Sequence, residues 1–75
     1  MATHTFPLRG EFIELNVLLK LLSLASSGGA AKGLVSEGLV RVDGAVETRV
    51  RCKLRVGQVV RLGDEEIRVV SPEAD

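Results

Sequence analysis

Arg49, Arg51, Lys53 and Arg55 occupy every second position of ETRVRCKLR, residues 47–55. A row of permanent cations does one kind of chemistry, which is to hold anions. Arginine's planar fork grips a phosphate with two hydrogen bonds, whereas lysine offers a compact point charge. In an extended segment alternate side chains point to opposite faces, so these four cations would share one side, with a step of about 6.6 Å. Val50, Cys52, Leu54 and Val56 would share the other. Like charges in a row repel, and a repeating anion would offset that; a nucleic-acid backbone is the commonest one. The bland reading is a solvated strand face whose arginines pair with Glu47 or with the acidic end of the chain. The pattern alone leaves both open.

No other constellation offers chemistry. SSGGAAKG, residues 26–33, has the serines and glycines of a phosphate loop, but Lys32 is followed by Gly33 instead of the Ser or Thr that such a loop requires. A milder site survives, since the free amides of a helix beginning at Ser26 or Ser27 attract anions; a plain helix start is the alternative. His4 has no companion ligand for a metal. Cys52 is the only cysteine, so no internal disulfide forms, and its place among Val50, Leu54 and Val56 predicts packing rather than reactivity. Glu65 and Glu66 read as a solvated turn. No nucleophile, base and oxyanion site can be assembled, and 75 residues enclose little. The expectation is a protein with no enzymatic activity, no metal, no cofactor and no small-molecule substrate.

The elements that must position the row can be read from periodicity. Residues 1–11, with Pro7 and Gly10, read as a flexible lead. FIELNVLLKLLSLA, residues 12–25, reads as a very apolar helix with Asn16, Lys20 and Ser23 on its polar stripe. A second helix would pack through Ala30, Ala31, Leu34 and Val35 and end at Gly38. The period then drops to two, giving one hairpin around Asp43-Gly44 and another around Gly63-Asp64. The expected fold class is α+β, two N-terminal helices packed on a small, mainly antiparallel sheet of hairpins. Residues 12–70 form its single domain and 71–75 an acidic tail.

Charge is unevenly placed along this frame. The formal net charge is zero, yet residues 41–61 hold six cations against two anions, and residues 62–75 hold five anions against one cation. Such local surplus attracts a polyanion without making the whole molecule sticky.

The order helix, short helix, hairpin, with GGAAKGLVSEGLVRVDGAVETRVRCKLRVGQVV at its centre, resembles the S-four domain. This is a small RNA-binding module named after the fourth protein of the small ribosomal subunit, and the likeness is greatest to its stand-alone bacterial YbcJ-type members. Gly29, Ala31, Lys32, Glu37, Gly38, Val40, Val42, Asp43, Gly44, Glu47, Thr48, Arg49, Arg51, Lys53, Leu54 and Gly57 carry the resemblance, which spans residues 12–70. It implies the αL arrangement and binding of structured RNA, ribosomal or transfer, with Ser27, Lys32, Arg41, Arg49, Arg51 and Lys53 as contacts, to which the row itself adds Arg55. Many members place arginines on the second helix where this chain has Gly28 and Gly33, which shifts weight to the row after Glu47.

With aromatics limited to Phe6 and Phe12, stacking of single-stranded bases is a poor option, and recognition through phosphates and shape is favoured. The rival function is a protein-interaction module that docks a partner through its apolar first helix and basic strand. The start lacks a signal-peptide pattern and no apolar run spans a bilayer, so a protein of the cytoplasm, away from membranes, is expected, and the resemblance implies association with the ribosome.

Overall fold

Asp43 and Gly44 both adopt positive φ, 52° and 85°, in the computed structural model, which describes residues 2–72. Two consecutive left-handed residues match the right-handed twist of the strands they join. They connect β3 (Val40–Val42) to β4 (Ala45–Val46). The second expected hairpin joins β6 (Val59–Leu62) to β7 (Glu65–Val70), with Gly63 at φ 59° as its first turn residue. Val40, Val42, Val60, Ile67 and Val69 alternate inward and are buried.

Against that face pack α1 (Leu15–Leu21) and α2 (Gly28–Ser36). Leu15, Leu18 and Leu19 of α1 are fully buried and so are Ala31 and Val35 of α2, the i, i+3, i+4 spacing of a helical core stripe. Gly38, at φ 76°, follows α2 as the second helix was expected to end.

The first helix is shorter than the run 12–25. Ile13–Glu14 form an extended strand, β2, paired antiparallel with β5 (Lys53–Leu54) as a separate two-stranded sheet. At the other end Leu22 closes the helix and Ser23 turns left-handed, φ 60°, while the Leu24 and Ala25 amides both return to the Leu19 carbonyl. Leucines alone do not hold a helix open. Seven residues are too few for independent stability, and the length is set by what can be buried.

The expected flexible lead is ordered instead. Residues Ala2–Pro7 form β1, which runs parallel to β7 with Ala2 opposite Glu65 and Pro7 opposite Val70. Ala2, His4 and Phe6 turn inward while Thr3, Thr5 and Pro7 are exposed, the period of two that a half-buried strand requires. Pro7 is tolerated because β1 is an edge strand.

The fold is thus α+β, but the sheet is mixed, in the order β1-β7-β6-β3-β4, and two strands precede the helices. Glu65 and Glu66 lie in β7 rather than in a solvated turn. Of the acidic tail, residues 73–75 lie outside the described residues. No helix among the described residues is long and apolar enough to cross a membrane.

Candidate nucleic-acid interface

The segment carrying the cation row is not a continuous strand. Only Lys53 and Leu54 are extended in a sheet, and residues 47–52 form a turned loop closed by a bond from the Cys52 amide to the Arg49 carbonyl. Equal spacing of the four cations is therefore lost. Sidedness is kept for most of the segment: Val50 and Cys52 pack against the core and Leu54 is fully buried, while Arg49, Arg51, Lys53 and Arg55 are exposed. Val56, expected inside, is exposed.

What holds the loop is the start of α1. The first amides of a helix lack partners within it. Here the Leu15 amide donates to the Cys52 carbonyl at 2.9 Å and the Asn16 amide to the Val50 carbonyl at 3.1 Å. The loop's backbone is drawn inward at those two residues, and the intervening Arg51 is presented to solvent.

Glu47 organises the other side. Its carboxylate accepts from the Arg49 amide at 2.9 Å, from Nε at 3.0 Å and from Nη2 at 3.0 Å. These bonds from Arg49, side chain first and then backbone, pull the Glu47 carboxyl down to about 2. Glu47 is only 14% exposed whereas Arg49 is 78% exposed, so the arginine is held by its inner edge and its outer edge stays open. Burial, followed by the hydrogen bond to Glu47, raises the Cys52 thiol, which makes it a packing group and not a nucleophile.

The four cations have different surroundings. Arg49 is paired with Glu47, as the bland reading foresaw for the row. Arg51 has no hydrogen-bond or ion-pair partner among the described residues. Lys53 Nζ sits 4.8 Å from the centroid of Phe12, a cation–π contact. Arg55 donates through Nη1 to the Glu11 carbonyl at 3.2 Å, so part of its fork is occupied. Arg49, Arg51 and Lys53, with Cys52, line one open depression of about 430 Å³.

The remaining expected contacts are not all gathered there. Ser27 caps α2, accepting from the Ala30 amide at 3.1 Å, and Lys32 is exposed on that helix. Arg41 lines a different depression with Leu39, Gly44, Arg61 and Gly63. Sequence reasoning missed Arg61 and the supporting role of Phe12. Arg61 stands opposite Arg41 because β3 of one hairpin pairs with β6 of the other, a register that neither turn sets by itself.

Comparison with known proteins agrees with this architecture. A family model described as the S4 domain matches residues 6–70. YbcJ of Escherichia coli K12 is 49% identical over 59 residues, covering 79% of this chain and 84% of the relative, and YbcJ of Shigella flexneri matches to the same extent. The solution structure of E. coli YbcJ, described as revealing an αL motif involved in RNA-binding, superimposes with a TM-score of 0.68 at 45% identity. That match covers 95% of this chain and 89% of the other. On these matches, with the helix pair and basic loop in the order expected, the chain belongs to the S4 domain family.

Proposed function

We propose that this protein binds structured RNA, ribosomal or transfer, through the phosphate backbone. The observation that carries the reading is the basic depression of Arg49, Arg51 and Lys53, pre-positioned because the loop beneath it is bonded to the start of α1. Membership of the S4 domain family and similarity to YbcJ, whose αL motif is described as involved in RNA-binding, support it. Lys32 and the hydroxyl of Ser27, on α2, and the free part of Arg55 extend the contact. The role is non-enzymatic, in the cytoplasm and in association with the ribosome. Backbone recognition suits a surface whose nearest aromatic ring, Phe12, is already engaged by Lys53.

The test is binding to folded RNA across a salt series, beside a variant carrying Arg49→Gln, Arg51→Gln and Lys53→Gln. Three to five neutralised phosphates give a log–log slope of roughly −2 to −4.5. The variant should lose affinity and about 2 of that slope while remaining folded, with only a small drop in melting temperature from the lost Glu47–Arg49 pair. Equal binding by both proteins would refute the reading. It would then favour a protein partner on α1, where Val17 and Leu21 are exposed.

A further inference from the structure

We infer that the solvent face of the five-stranded sheet is a second surface for an RNA backbone, separate from the loop depression, so that one molecule grips two RNA segments. Residues opposite one another in neighbouring strands share a face of the sheet. Reading across it, Val46, Arg41, Arg61, Glu66 and Thr3 form one line, and Val59, Arg68 and Thr5 the next. The other face carries buried Val40, Val42, Val60, Ile67 and Val69, against which the helices pack.

Three guanidinium groups stand on this face, and two of them share one carboxylate. Glu66 accepts from Arg68 at 3.0 Å and lies 3.7 Å from Arg61, and Arg41 has no partner among the described residues. Neighbouring acids are turned elsewhere: Asp43 accepts from the Val59 amide and from Gln58, and Glu65 meets His4. Among the described residues, Asp64 in the β6–β7 turn remains near this face. Arg41 directly opposite Arg61 is a like-charge pair that costs stability unless an anion stands over it.

The place for that anion is the open depression of about 470 Å³ that Arg41 and Arg61 line. It shares no residue with the loop depression. Its glycines, Gly44 and Gly63, serve the two turns, as their positive φ requires.

The chemistry of the face selects the partner. A protein interface draws its energy from a central aromatic or aliphatic anchor in a pocket. This face has arginines at its centre, threonines beside them, and exposed Leu39 and Val46 at the margin. Arginine forks without stacking rings suit phosphates of folded RNA.

The experiment immobilises one short RNA hairpin, adds protein, and measures capture of a second, fluorescent copy of the hairpin. Wild type should capture it. A variant with Arg41→Gln, Arg61→Gln and Arg68→Gln should still bind the immobilised hairpin through the loop, which also shows that it is folded, but should not capture the second. Its salt slope should be lower by roughly 2. Glu66→Gln, which removes the carboxylate paired with Arg61 and Arg68, should improve capture and steepen the slope, a gain that misfolding cannot mimic. The loop variant (Arg49→Gln, Arg51→Gln, Lys53→Gln) should bind one hairpin without bridging; its result separates failure of the loop reading from failure of this one. Undiminished capture by the sheet-face variant, or an unchanged slope in Glu66→Gln, would overturn the inference and leave the face to an acidic protein partner or to solvent.

Discussion

Glu47 is the residue on which the loop depends, because a single carboxylate restrains Arg49 at three donors. Its carboxyl is held at about 2 in the folded protein, against 4.5 for an unrestrained glutamate. A carboxyl depressed by folding stabilises the native state above the unfolded value, and that contribution is lost as pH falls through the folded one. The stability due to Glu47 should therefore be complete above pH 4.5 and disappear progressively toward pH 2. Glu47→Gln should flatten this part of the profile, measured as thermal midpoint against pH. Arg49 is too exposed for the effect to be large. The sequence reading treated a pairing with Glu47 as an alternative to anion binding. Both can hold, because the carboxylate occupies one edge of the fork and solvent meets the rest.

At the scale of elements, α2 is nine residues long with no acidic residue in its first turn, so its start rests on the Ser27 cap. Ser27→Ala should cost about 1 kcal/mol. For a domain of this size that lowers the melting temperature by about 4–8 °C. Ser27→Asp should restore the cap and hence the melting temperature, yet weaken RNA binding if the serine hydroxyl stands near phosphate. Calorimetry and the salt series together separate these two roles. The second helix, its cap and both hairpins were legible because their signals are local: a serine before the helix, glycines at the turns, a period of two between them. β1 and β2 were not. A strand of ATHTFP depends on a partner some sixty residues away, and Ile13–Glu14 is extended only because Lys53–Leu54 lies beside it. Neither pairing leaves a mark in its own window. The exposure of the four cations was likewise legible, but their spacing was not, since a turned loop at 47–52, bonded to the start of α1, replaces the continuous strand assumed.

For the whole molecule, 75 residues at roughly 0.05–0.15 kcal/mol each imply a stability of about 4–11 kcal/mol. Leu18 is fully buried where α1 meets the rest of the core. Leu18→Ala should cost about 2–5 kcal/mol, a large share of that total, with a lower urea midpoint and little change in slope. RNA binding should fail in this variant only where the fold does. One arrangement has a further consequence, concerning time. β7 sits between β1 and β6, so β1 has nothing to pair with until residues 65–70 have been made. Pairings between distant parts of a chain close late because loop entropy opposes them. A growing nascent chain therefore carries its leucine-rich segment through most of its synthesis without a finished sheet to cover it. The two ends of the domain settle together, in one late step, and until then its folding is exposed to competing association on and around the ribosome that makes it.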